Sequence, residues 1–548
     1  IYDGIKSVDK ETPVLIGNIA GDNLTIPRLY GKPAEGRFDG AITNSYMGIL
    51  KSTMTSIKQF DEHGDTKKTI WQEEAADQSS PFAGAGRRRG EAEGPKNMVR
   101  IWISMKAVAG PRLKAMTMWG YATGADIDMV TPELQPRPQF AAHAVMADAL
   151  ADAVFVADRS QNNVTIFEWK RGDGPMFTVW ASAGQRSVTF AAPEGKLTVM
   201  DLMGNRTEMK ATNGVVTLQV TTSPLYVFGG GALTLSKRLE ARLEHGSTQF
   251  GKPTIRLVLK NNGKETLEGK AVFSGPIQGG PGIEFKVAPG ETTSLTVPVK
   301  SDLPTDKRTD FAAECTTSEG AVYIASAEFN FAEAVKTEIP PSLDGTWKGW
   351  DAVQATTFGT VASQIEAPYK IPGRTYGGPE DISGKFRLLW DSQFLYLGVE
   401  ALDNSFFSQP ERGMSGFMGD SIEFAVQPEN LLSPLAPYWE YELYLPDGKP
   451  PYAVSRRLPL PAEMITDWKA SVVPTGDRGN INYQVAIPWK DLGVTAPVTG
   501  RTISFALVLN DADAGDRLSG GRCRVRWFRG MDLDKNPTGF GDVTMVTP

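Results

Sequence analysis

Short apolar runs alternate with amphipathic stretches over the first 150 residues. The runs 13–20 (PVLIGNIA), 39–48 (DGAITNSYMG), 69–75 (TIWQEEA) and 115–121 (AMTMWGY) read as strands. Between and after them, 52–63, 96–109 and 140–151 carry apolar residues at helical spacing. This alternation predicts βα units and a parallel sheet, with four strands where a closed (β/α)8 barrel needs eight. From about 152 the period drops to two, and 164–169, 177–181, 197–200, 215–220 and 225–228 predict a small antiparallel unit with turns at Asp173-Gly174 and Asn213-Gly214. Gly229-Gly230-Gly231 reads as a joint. Short strands over 236–335, among them 254–260 before Asn261-Asn262-Gly263, suggest an Ig-like sandwich. Pro340-Pro341 marks a last boundary before a final β-rich stretch. The expected division is 1–151, 152–233, 234–338 and 339–548, a multidomain α/β plus all-β chain.

Length supports that division, because 548 residues exceed what one core holds. The net charge of −7 and a pI near 5.4 argue against a nucleic-acid surface. No apolar run approaches eighteen residues, so no membrane span is expected. Cys315 and Cys523 are too far apart in sequence to suggest a disulfide framework, and His63, His143 and His245 lack paired ligand spacing for zinc. Ile1 is neither a methionine nor part of a signal peptide, and the chain reads as beginning inside a domain.

The candidate chemistry sits where the third strand ends in Glu73-Glu74. A carboxylate at the carboxyl end of one parallel strand, with aromatics at the end of the next, is how a (β/α) barrel builds a sugar-cleaving site. Side chains alternate along a strand, so only one of the two glutamates is expected to face the barrel mouth. Here the chain resembles the second half of a clan A glycoside hydrolase barrel of the family 39 or family 5 kind. The residues carrying the resemblance are Trp71-Gln72-Glu73-Glu74, Tyr46 with Asn44 beside it, and Trp119. The resemblance implies Glu74 as nucleophile, with Glu73 as the alternative because it stands where the clan has Thr or Ser. It also implies that Tyr46 holds the nucleophile ionised and that Trp119 floors a sugar subsite. The clan's acid/base follows an Asn, and no Asn-Glu pair occurs in this chain. These residues alone are therefore expected to be inactive. The loop after Glu74 carries Arg87-Arg88-Arg89, either a solvated charge run or a contact to an acidic sugar. Residues 152–230 fit the β-sandwich that often braces such a barrel.

From about 341 onward the motifs Leu343-Asp344-Gly345, Leu389-Trp390-Asp391, Asp403-Asn404, Gly419-Asp420-Ser421-Ile422-Glu423, Ala486-Ile487-Pro488-Trp489 and Asn510-Asp511 appear in order. In order and spacing they resemble the family 9 carbohydrate-binding modules. That implies a jelly-roll-like β-sandwich binding glycan ends between aromatic side chains, often with calcium. Trp347, Trp390 and Trp489 lie in apolar motifs and read as core; Trp439 and Trp527 have polar neighbours and read as stacking candidates. Asp403, Asp420, Glu423 and Asp511 are the candidate calcium ligands, through hard carboxylate oxygens.

Together these features predict a secreted retaining glycosidase, extracellular or periplasmic, acting on polysaccharide or oligosaccharide without a catalytic cofactor. It would be a monomer, or would be completed by the other half-barrel as a separate chain. The alternative is a non-catalytic carbohydrate-binding or adhesion protein.

Overall fold

The computed structural model describes residues 2–19, 25–45, 49–75, 90–118, 129–131, 133–160, 163–212, 214–230, 233–235, 238–280, 282–318, 320, 322–366, 376–407, 419–431, 433–446, 451–455, 463–465, 467–476, 479–512, 523–531 and 536–548. It is mostly β, in several sheets, and among the described residues its α-helices all fall in the first 150.

The N-terminal unit contains helices α1 (Tyr2–Val8), α2 (Thr25–Leu29), α3 (Ile49–Glu62), α4 (Gly90–Ala109) and α5 (Pro138–Leu150). Its strands β1 (Leu15–Ile19), β2 (Gly40–Ser45), β3 (Thr69–Ala75) and β4 (Leu113–Met118) form one parallel sheet in sequential order. A helix returns the chain between consecutive strands, as parallel pairing requires. Ala41 and Ile70 pack with Ile26, Phe38 and Phe60 into the helix-side core. Asp39, at the amino end of β2, ties the start of the sheet together. It accepts from the Val14 amide at 2.8 Å and the Tyr2 hydroxyl at 3.2 Å, and pairs with Lys6 at 2.9 Å. Burial raises this carboxyl, but those contacts outweigh it and hold the group below its ordinary value.

The next unit packs a six-stranded antiparallel sheet against a three-stranded one. The strand Val164–Arg171 shows why its apolar run is nearly continuous. Val164 and Ile166 fill the core between the two sheets, while Phe167 and Trp169 turn the other way and pack with Trp102 of α4 and Met146 of α5. A sheet covered on both faces must be apolar on both. Helices and sandwich thus share one core across the boundary near 151.

A second β unit, from Leu239 to Phe329, has sheets of three and four strands around a single core that includes the buried Cys315. Arg186 joins the two β units. Its side chain is 2% exposed and reaches Asp310 at 2.7 Å and Glu328 at 2.5 Å.

The C-terminal unit is a 14-stranded sheet curled round one core into a nearly closed, barrel-like form. It begins earlier than residue 339. Strand Ala332–Lys336 pairs in parallel with both Gly541–Val546 and Ile382–Trp390, filling a place inside the sheet. On one outer face Trp347 and Trp350 lie over Gly398, where a Cβ would come within 2.9 and 3.0 Å of the indoles. Glycine is what admits them.

Candidate functional site

The parallel sheet brings the first set of expected site residues to its carboxyl edge. Ile42 pairs with Trp71 and Thr43 with Gln72, but the next pair is Asn44 with Glu74. On the other side Gln72 pairs with Met116 and Ala75 with Met118. Both ladders skip one residue of β3 here, so a β-bulge interrupts the strand at Glu73. The strict two-residue alternation expected across Glu73-Glu74 therefore does not hold, because a bulge sets two residues against one. Just before it, Thr43 and Gln72 are fully buried on the helix side, and the Thr43 hydroxyl donates to Gln72 Oε1 at 2.7 Å. That bond fixes the register immediately ahead of the glutamates. Tyr46, Trp119 and Arg87-Arg88-Arg89 lie outside the described residues, as do the side chains of Asn44, Glu73 and Glu74.

The second set lies in the C-terminal sheet. Along Ser421–Gln427, Ile422, Phe424 and Val426 enter the core, while Ser421, Glu423, Ala425 and Gln427 occupy the opposite face. Across the ladders that face continues through Glu440 and Glu442 on one side and Ser504, Ala506, Val508 and Asn510 on the other, then Arg524 and Arg526. Glu423, Glu440, Glu442 and Asn510 are all at most 4% exposed. Arg524 meets Glu423 at 2.8 Å, and Asn510 Nδ2 donates to Glu423 Oε1 and to Ser421 Oγ, each at 3.0 Å. Polar groups on strand interiors, out of water and mutually hydrogen-bonded, are held rigidly. Sequence reasoning passed over Glu440, Glu442, Arg524 and Arg526. Their signal was the alternation in WEYELY and CRVR, polar at every second position with an apolar partner between.

At one end of the sheet, but on its core side, three of the four expected calcium ligands converge. Asp403, Asp420 and Asp511, all buried, bring carboxylate oxygens within 4.8 Å of one another. Asp420 accepts from the amides of Phe407 and Ala512, the latter at 2.9 Å, and Asp403 accepts from Ser405 N at 2.7 Å. Backbone donors on the outer lone pairs aim the carboxylates without neutralising them. Burial first, and then these three carboxylates, push the neighbouring Tyr483 hydroxyl well above its usual range. Glu423 does not belong to the cluster; its oxygen is committed to Arg524 and Asn510.

The tryptophans divide differently from expectation. Trp390 and Trp489 are core residues with their indole N–H groups satisfied by Val546 O and Asp391 O. Trp347 is half-buried beneath the Arg387 guanidinium, 4.5 Å from the ring centroid. Trp527, expected at the surface, is 1% exposed and packs edge-on against Phe386 and Phe528. Its charged neighbour Arg526 misled the reading, since Trp527 continues the inward alternation of Cys523 and Val525 while Arg526 faces the other way. Trp439 is half-buried, its ring lying over Gly493 at the turn after Asn480–Pro488.

No family model and no curated relative matches the chain. Several solved structures are similar in part. A family 9 carbohydrate-binding module from Caldicellulosiruptor kristjanssonii in complex with cellotriose is 17% identical, covering 40% of this chain and 94% of that one, at a TM-score of 0.28. A family 39 glycoside hydrolase from the gut symbiont Bacteroides cellulosilyticus WH2 is 15% identical, with coverages of 42% and 53% and a TM-score of 0.35. Bacteroides uniformis β-glucuronidase 2 is 10% identical, with coverages of 96% and 49% and a TM-score of 0.23. The chain thus spans about half the length of each of these two glycosidases. At such identities and TM-scores none of these likenesses carries a function to this chain.

Proposed function

We propose that this chain is part of a retaining glycoside hydrolase acting on polysaccharide outside the cytoplasm, with Glu74 as its nucleophile. The observation that carries the reading is the backbone register: at the carboxyl edge of four sequentially ordered parallel strands, the residue paired with Asn44 is Glu74, and Glu73 is the bulged residue. Sequential parallel strands joined by helices are what consecutive units of a (β/α)8 barrel provide, and chemistry in such barrels gathers at that edge. Glu74 would attack the anomeric carbon and form a covalent glycosyl ester, which water then opens. Tyr46 would keep the carboxylate ionised, Asn44 would contact the sugar, and Trp119 would floor it. Protonation of the leaving oxygen falls to a second carboxyl about 5–5.5 Å away, from elsewhere in the complete enzyme.

The ordered motifs of the C-terminal unit support a glycan-binding role. Its carboxylates and carboxamides on strand interiors are buried, and Ala425, Ala506 and Val508 of the same face pack with Tyr438, Met531 and Phe540, so these groups brace the sheet behind any sugar site. Asp403, Asp420 and Asp511 fit a calcium ion by donor type and convergence, and the ion would brace the end of the sheet on its core side. This unit also supports the second reading, a carbohydrate-binding protein without turnover. Among the described residues no helix is long and apolar enough to cross a membrane.

Glu74→Gln in the complete protein decides between the two readings. Loss of aryl-glycoside turnover by about 10³-fold or more, with glycan binding retained, supports the nucleophile. Full activity in that variant, with Glu73→Gln inactive, reverses the assignment.

A further inference from the structure

The second β unit and the C-terminal sheet meet at one buried carboxylate, Asp542, on the sheet's last strand. Its side chain is 3% exposed. Three residues from the second β unit and the segment leading out of it converge on it. His245 Nε2 lies 3.2 Å from Oδ2, and Arg308 Nη2 donates to Oδ1 at 3.1 Å and to the Phe540 carbonyl at 2.6 Å. Asn330, fully buried, accepts from the Asp542 amide at 2.7 Å and donates to its carbonyl at 2.8 Å. Phe329 and Phe331 wall the histidine, with ring centroids 4.6 and 5.4 Å away. Burial raises the Asp542 carboxyl, but Arg308 and His245 outweigh it and hold it below its ordinary value.

The connection between the units leaves no slack. Strand Val322–Phe329 ends the second β unit and Ala332–Lys336 is already inside the C-terminal sheet, so only Asn330 and Phe331 lie between them, both buried. A tether needs several exposed, flexible residues. A second seam lies nearby: Thr547 N donates to Thr248 O at 3.0 Å, Phe250 N donates to Thr547 O at 2.8 Å, and the Phe250 ring packs with Trp350 and Tyr396.

We propose that Asp542 latches the second β unit and the C-terminal sheet into one body that unfolds and turns as a unit. Asp542 pairs across the ladder with Ser504, on the same face as Asn510 and Glu423. The latch therefore holds the C-terminal sheet at a fixed angle to the second β unit, where an appended module would swing. Asp542 acts here as a positioning residue, and the inference holds whether or not that sheet binds a sugar.

The test uses the whole chain, by calorimetry and small-angle scattering, with Asp542→Ala beside the unchanged protein. The unchanged protein should melt these two units in one transition. Asp542→Ala should split that transition and raise the radius of gyration. Two resolved transitions in the unchanged protein, or scattering unaltered by the substitution, would overturn the latch. If Asp542→Ala does not fold, hydrogen exchange on the unchanged protein decides. Amides of 330–336 should be protected as strongly as those of Val322–Phe329; fast exchange there refutes the proposal.

Discussion

The parallel sheet near the start of the chain and the curled sheet at its end deploy carboxylates in opposite ways. In the first, Glu73 and Glu74 stand where a strand runs out, beside a bulge, and whatever they do depends on loops and strands gathered around that edge. In the second, Glu423 and Glu442 sit along strand interiors, each ladder position fixed by neighbours on both sides. An edge site can be remade by changing loops. A face site is bound to the fold, and altering it alters stability. The first arrangement leaves its carboxylates to the loops around them, and the second builds its carboxylates into the sheet itself.

That contrast can be broken or sharpened by substitution. The largest stability effect is expected in the C-terminal sheet, where Trp527→Ala empties a core position at a cost of about 3–5 kcal/mol. Urea unfolding reads this directly; a loss below about 1 kcal/mol with weakened glycan binding would return Trp527 to the surface. Next comes Arg186→Met, which strands Glu328 at the joint between the two β units. A loss of about 2–4 kcal/mol is expected, because a buried carboxylate is left without its cation. Chelation should come third. If Asp403, Asp420 and Asp511 hold calcium, removing it should lower the melting temperature of the C-terminal unit by several degrees, with calcium restoring it and magnesium not. A melting curve indifferent to chelator would remove the ion.

The smallest effect is pH-dependent. Asp542 is held below its ordinary value in the folded state, so the unfolded chain binds the proton more readily. Its stabilisation is fully present above about pH 4 and fades as pH falls through the lower, folded value. The urea midpoints of the native protein and Asp542→Asn should differ at pH 7 and converge towards pH 3. A constant difference over that range would assign the effect to packing.

Much of the frame was legible from period alone. β3, expected at 69–75, is observed at Thr69–Ala75, and 215–220 and 225–228 are likewise strands with those bounds. The strand Ala332–Lys336 was harder to assign, because its partners in the sheet lie 54 and 211 residues further along the chain and no local pattern names them. The candidate sites divide along similar lines. Asp403, Asp420 and Asp511 stood out as hard carboxylate donors in the C-terminal motifs and do converge. Glu423 resembled them in type but follows Arg524, a partner that only the ladder brings near. The bulge at Glu73 was invisible, since nothing in WQEEA breaks the strand pattern. Trp527 misled because charged neighbours in sequence say nothing about which way a strand residue turns.

The most direct test of the central claim is covalent trapping of the complete protein with a panel of 2-fluoroglycosides, followed by fragment-ion mapping of the peptide spanning Glu73 and Glu74. A stable glycosyl adduct on Glu74 is the expected result. An adduct on Glu73, on a carboxylate outside β3, or on none would contradict the assignment of the nucleophile.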